Sequence, residues 1–265
     1  MLTAITRGVS PAMVNCELTF MARAPIDLAK ALEQHRAYEQ VLEQFGAKVI
    51  SLPPEPTLAD SMFVEDPAMV LDELALIFPL GTASRRAEAA SLAKVLSKLR
   101  ELKYVQLPGT AEGGDILRVE RHLFAGLSKR TNEEGIRQLQ SIVGKHSYTV
   151  TAVPVNGCLH LKSAVTFLGR NTVLANRNWF DASCMPGFEC IDVAPEEPHA
   201  ANALSLGDTV IFPASFPLTR ARIEARGFKV LPLDISELQK AESGLTCSSL
   251  LFDAKTLPGQ EEMAS

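Results

Sequence analysis

The sequence lacks any apolar run near the roughly 20 residues that a membrane-spanning helix requires. It also lacks a cleavable leader pattern: Met1 to Ser10 holds one Arg, no long apolar core and no small-residue cleavage site. Cysteine is scarce and unpaired. The five cysteines, at 16, 158, 184, 190 and 247, have neither metal-ligand spacing nor the density of a disulfide framework. These absences predict a cytoplasmic protein in a reducing compartment with no membrane partner. Basic charge is lacking too. The formal net charge is −5 and no Lys/Arg stripe occurs, which argues against a nucleic-acid partner and is compatible with a cationic ligand.

What is present is an ordinary globular composition. Hydrophobic residues make up 46% and charged residues 22% of 265, enough to bury a core in one large domain or two small ones. Apolar residues recur at helical spacing over Leu28–Phe45, with Gly46 as a C-terminal stop, and over Arg86–Leu102. Thr131 and Glu134 read as a capping box that opens a helix through Ile142. Shorter helices are predicted over Thr219–Ala225 and Ser236–Glu242.

Between them lie short strand-like runs, such as Ala68–Leu71, Leu74–Phe78, Ile116–Val119, His122–Gly126, Ala164–Leu168 and Thr172–Ala175. They come in pairs, and each pair starts just after a conspicuous side chain: Asp66, Asp115, His160, Asn202 and Cys247. The intervals, 42 to 49 residues, signal a repeat architecture. Each unit reads as hairpin, helix, third strand. The predicted fold class is therefore α/β, a five-fold pseudosymmetric propeller of ββαβ-type repeats. Residues 1–252 would form one catalytic domain and residues 253–265 a polar tail.

Five features could carry chemistry: Cys247 in a small-residue loop, His160, the segment Glu112-Gly113-Gly114-Asp115, the pair Glu65-Asp66, and the arginines Arg85 and Arg130. Each has a bland reading. A lone Cys is usually a small buried hydrophobe, a lone His is usually structural, acidic pairs are mostly solvated, and two glycines can simply make a turn. Four of the features, all but the arginines, share a register that is harder to explain that way. Independent structural residues have no reason to occupy equivalent places in successive repeats, whereas five hairpin starts around one axis would bring them together.

The motifs Asp60-Ser61-Met62-Phe63-Val64-Glu65-Asp66-Pro67, Ser84-Arg85-Arg86, Glu112-Gly113-Gly114-Asp115, Gly126–Asn132, Leu159-His160-Leu161-Lys162 and Leu245-Thr246-Cys247 together resemble bacterial dimethylarginine dimethylaminohydrolases. These belong to the guanidino-modifying propellers, and the likeness runs from Ile5 to Phe252. The resemblance implies Cys247 as nucleophile, His160 as general acid/base and Glu112 as the carboxylate that orients it. It implies Glu65 and Asp66 around the guanidinium, Asp60 and Leu18 at other binding positions, and Arg85 and Arg130 at the amino-acid end. Ala241 would hold the substrate amine through its carbonyl. The implied reaction is hydrolysis of Nω-methylated arginine to citrulline and methylamines through a covalent S-alkylthiouronium, without metal or organic cofactor. The implied partner is a small guanidino compound, with a homodimer left open.

Two segments depart from the pattern. Glu242-Ser243 stands where Asp-Gly is usual, and Asn15–Thr19 lacks the Gly that often precedes the Leu. Alternatives are a same-fold hydrolase or deiminase acting on another guanidino compound such as arginine, and a non-enzymatic propeller. The retained Cys247, His160, Glu112 and Asp66 argue against the second.

Overall fold

The computed structural model of the chain describes residues 1–253. The first strand, β1 (Leu2–Arg7), is followed by α1 (Leu28–Gln44) and β2 (Lys48–Leu52). Asp27 caps α1 by accepting hydrogen bonds from the amides of Ala29 and Lys30. At its other end Gly46, at φ +81°, lets Gly46 N bond to Glu43 O and Ala47 N to Leu42 O, a Schellman closure. The helix buries Tyr38, Val41 and Leu42, as the periodicity predicts, but Ala31 is buried in place of Leu32, which is exposed.

The second unit runs β3 (Ala68–Val70), β4 (Leu74–Ile77), α2 (Glu88–Leu96) and β5 (Glu101–Tyr104). Here the sequence reading was too generous, because the helical period through Leu102 is cut at Leu96. Ser97 bonds its hydroxyl to Lys94 O, and residues 97–100 turn so that Leu102 can pair with Ala75 in the sheet. Tertiary pairing overrides a weak local preference.

The third unit is β6 (Ile116–Val119), β7 (His122–Leu127), α3 (Glu133–Val143) and β8 (Thr149–Pro154). Its cap is Asn132, which accepts from Gly135 N at 2.8 Å, and not Thr131. The Thr131 hydroxyl instead accepts from Glu112 N at 3.0 Å.

In the fourth unit a single helical turn, α4 (Leu161–Ala164), leads into β9 (Val165–Gly169), β10 (Thr172–Ala175) and β11 (Glu189–Asp192). The expected helix between the last two strands is absent, and a short 3₁₀ turn at Ala182–Cys184 takes its place. The fifth unit is β12 (Leu204–Leu206), β13 (Thr209–Pro213), α5 (Pro217–Ala225) and β14 (Lys229–Leu233). Pro217 occupies the first helical position, where a missing N–H is harmless, so α5 starts two residues before Thr219.

A final turn, α6 (Ser236–Gln239), is shorter than expected and ends before Glu242, whose φ is +57°. The last strand among the described residues, β15 (Leu250–Asp253), pairs antiparallel with β1, so that the first and last described strands complete one sheet. Asp253, expected in the tail, pairs with Leu2; the rest of that tail lies outside the described residues.

The result is five three-stranded sheets, each with one antiparallel and one parallel pairing, in five-fold pseudosymmetry. An apolar cluster fills each gap between neighbours. Ile5, Leu250, Ala75 and Ile77, for example, join the first and second sheets, and Leu168, Leu174, Val210 and Phe212 join the fourth and fifth. Contacts of β15 with β3, β6 with β9 and β9 with β12 set the first strands side by side around the axis. The residues immediately before them therefore converge.

Candidate active site

One end of the axis holds a small, tight cavity. Asp60, Asp66, Arg85, Arg130, His160, Ala241 and Cys247 line it, with Glu17, Phe63, Leu159, Glu242 and Ser243 completing the wall. Seven of the ten expected site positions thus meet there. Glu112 stands directly behind His160.

His160 precedes α4 and is buried. Its Nε2 lies 2.6 Å from Glu112 Oε2. Glu112 is fully buried, and its other oxygen accepts from Gly81 N at 3.0 Å and from Arg130 Nη1 at 3.4 Å. The two glycines that follow serve close approach and not a left-handed turn. A Cβ on Gly113 would lie 1.9 Å from Glu65 O, and one on Gly114 2.5 Å from His160 Nδ1. Burial alone would depress the imidazole. The charges of Asp66, Asp115 and Glu112 and the Glu112 hydrogen bond outweigh it and raise His160 to about 9. For Glu112, burial opposes ionisation, but the His160 bond and the nearby arginines hold it well below the usual carboxylate range.

Cys247 sits in the 3₁₀ turn Thr246–Ser248, half-buried. Gly244 N donates to its Sγ at 3.4 Å. Asn202 braces this turn: its Oδ1 accepts from Thr246 N at 3.1 Å, and its Nδ2 donates to Thr246 Oγ1 and to Lys162 O, both at 3.0 Å. The turn needs Gly244, because a Cβ there would meet Asn202 Cγ at 2.2 Å. Burial pushes the thiol up to about 12; the Glu65 and Asp66 anions add to the effect, and the Gly244 N–H and Lys162 oppose it.

Asp66 is buried, and its Oδ2 accepts from Arg85 Nη1 at 2.8 Å. Its Oδ1 has no hydrogen-bond partner among the described residues and lies 3.9 Å from His160 Nδ1. An unpartnered buried acceptor is costly unless something donates to it. Asp60 accepts from Glu17 N at 3.1 Å, and burial raises its carboxyl. Arg85 also grips Glu88 through two bonds of 3.0 and 2.9 Å, so much of its donor set faces protein carboxylates. Burial pushes Glu88 up to about 7 despite that arginine.

Two expected positions, Glu65 and Leu18, sit otherwise, and Asp115 of the Glu112–Asp115 segment stays outside the cavity lining as well. Glu65 does not line the cavity. Its carboxylate pairs with Lys162 and accepts from Thr246 Oγ1 at 2.8 Å, in a recess on the far side of Cys247. Leu18 packs half-buried against the cluster that includes Ala241 and Leu245, and its neighbour Glu17 reaches the wall. Asp115 is structural, accepting from Leu161 N at 2.9 Å and Ser128 Oγ at 2.7 Å, with burial lifting it to about 6.

The residues that the sequence left out of the site are Glu17, Phe63, Leu159, Glu242 and Ser243 of the wall and a set of supports behind it. Asn202 stood in the repeat register and could have been included. Lys162 stood in the motif around His160, whereas Glu88 and the Gly81 amide carried no signal of their own. Asp66, Glu112 and His160 place potential ligand atoms within 4.8 Å of one another, but the 2.6 Å bond already engages His160 with Glu112.

A family model described as N,N dimethylarginine dimethylhydrolase, eukaryotic, matches residues 19–248. The N(G),N(G)-dimethylarginine dimethylaminohydrolase of Pseudomonas aeruginosa is 37% identical over 228 residues, covering 85% of this chain and 90% of that one. The protein of the same name from Streptomyces coelicolor is 35% identical, covering 93% and 95%. A solved cysteine-to-serine variant of the Pseudomonas aeruginosa enzyme, complexed with citrulline, superposes with a TM-score of 0.89 at 35% identity, over 95% of this chain and all of that one. The chain belongs to the dimethylarginine dimethylaminohydrolase family, hydrolases that act on C–N bonds.

Proposed function

We propose that the chain hydrolyses Nω-methylated arginine to citrulline and a methylamine, with Cys247 as nucleophile, His160 as acid and base, and Glu112 orienting the imidazole. The observation that carries this reading is the free Oδ1 of Asp66, buried beside the His160–Glu112 pair in the cavity that Cys247 lines. A guanidinium N–H satisfies that acceptor.

A guanidinium carbon is a poor electrophile because its charge spreads over three nitrogens, so a strong nucleophile is needed; thiolate is the strongest side-chain candidate near neutral pH. In the free protein the thiol is neutral, held so by burial and two anions. A bound cation offsets those anions and lets the proton leave to solvent. Attack on carbon forms the C–S bond and a tetrahedral adduct. His160, already protonated, gives its proton to the departing amine as the C–N bond breaks. The neutral ring then takes a proton from water, which attacks the thiouronium carbon, and the sulfur leaves. Glu112 stabilises the imidazolium throughout. Asp60 and the Ala241 carbonyl suit an α-ammonium, and Arg130 the α-carboxylate. Arg85 acts through Asp66, which it fixes. Because these groups come from residues 60 to 247, residues 1–252 work as one catalytic unit. The five free cysteines fit a reducing compartment, and no helix among the described residues is long and apolar enough to cross a membrane.

The test is a panel of arginine, monomethylarginine, dimethylarginine and agmatine, scored for ureido product and for methylamines against ammonia. Citrulline with methylamines from the methylated substrates is expected. Ammonia from arginine, with the methylated compounds inert, would replace this reading with a deiminase.

A further inference from the structure

Residues 16–24 form an irregular segment over the cavity. Cys16 is anchored in the core, but residues 17 and 19–23 are exposed and beyond Cys16 only Leu18 packs against that core, so apolar burial does little to hold residues 17–23 down. Polar ties do. The Glu242 carboxylate accepts from three successive backbone amides, at 3.0 and 3.1 Å from Thr19 N and 2.5 Å from each of Phe20 N and Met21 N. Consecutive amides pointing at one anion make a nest, and bonds to a charged acceptor are the strong kind. Lesser ties join Glu17 to Ser84 at 2.6 Å and Thr19 to Arg130 at 3.3 Å. Glu242 pays for its reach with a left-handed backbone, unusual for a residue with a side chain.

A second recess adjoins the cavity and shares Leu159, Glu242 and Ser243 with it. Phe20 and Met21, the two residues that Glu242 grips most closely, line the recess. The clasp is therefore part of the partition between the two spaces.

We propose that Glu242 is a positioning residue that clasps residues 17–21 shut over the site, and that release of this clasp joins the cavity to the adjoining recess as the route for substrate and product. The carboxylate is spent on the segment, so it does not bind the substrate's ammonium. The role in turnover rests on the function proposed above; the clasp itself does not.

The variants are Glu242→Gln, which keeps the size and removes the charge, and Glu242→Gly, which removes the carboxylate and suits the backbone angle. Hydrogen exchange followed by mass spectrometry reads the amides of residues 17–24, and steady-state kinetics on dimethylarginine read KM and kcat separately. Both variants should exchange roughly tenfold faster there, with the remaining peptides unchanged. KM should rise about fivefold or more, with kcat within about threefold of the parent. Unchanged exchange in the Gly variant, or faster exchange with an unaltered KM, overturns the proposal. If the parent protein turns over no guanidino compound, the proposed function fails while exchange still decides whether the clasp exists.

Discussion

Glu65 and Asp66 are neighbours in sequence, yet they line different recesses. Asp66 faces the cavity with one oxygen fixed by Arg85 and the other without a partner. Glu65 points behind Cys247, where Lys162 and Thr246 saturate it. Both add to the burial that keeps the thiol protonated. Only the front carboxylate has an oxygen to offer a substrate. The back one is neutralised inside the protein and braces the turn that carries the nucleophile. A carboxylate's role here is set by whether its acceptors are already taken, and sequence adjacency says nothing about that.

The largest effects should come from the front. Cys247→Ser and His160→Gly should each lower turnover by at least about 1000-fold, since they remove the nucleophile or the proton donor; the serine variant should keep the parent melting profile. Retained citrulline formation in the serine variant would remove Cys247 from the mechanism.

Next come the two carboxylates themselves. Asp66→Asn should cut kcat/KM by about 100-fold, the scale of one lost charged hydrogen bond in the transition state. Glu65→Gln should instead cost about 3 kcal/mol of stability by leaving Lys162 without its anion, while kcat/KM stays within about tenfold. Denaturant melts and steady-state kinetics on both variants separate the cases. Equal kinetic losses with equal stability would erase the distinction between front and back.

Smaller effects follow pH. His160 must carry its proton to release the amine, so kcat/KM should fall as pH rises through about 9. The same imidazole has a folded value above its ordinary 6.5. Its contribution to stability is therefore complete below 6.5 and lost as pH climbs through about 9. Glu112 has the opposite sign: its stabilisation is present above the ordinary 4.5 and lost only in strong acid. A rate profile still rising above pH 10 would contradict the assignment of His160 as acid.

Much of this was legible in the sequence, because the register of Asp66, Asp115, His160, Asn202 and Cys247 is a one-dimensional trace of a five-fold axis. What stayed hidden depends on three-dimensional competition for partners. Thr131 looked like a helix cap, but the amide of Glu112 claims its hydroxyl. The helical period through Leu102 lost to a parallel ladder. The fourth sheet manages its crossover with a 3₁₀ turn, for which no periodicity exists to be read. The two departures from the family pattern lie far apart in sequence, yet Glu242 and Thr19, 223 residues apart, bond to each other. Only the folded structure shows that contact.

The most direct measurement is mass spectrometry of the protein acid-quenched during turnover of dimethylarginine. The mechanism places an amidino adduct on the Cys247 peptide, enriched when His160 is replaced by glycine and absent from the other four cysteines. Citrulline released by the parent enzyme under these conditions with Cys247 unmodified throughout the time course would contradict covalent catalysis at this site.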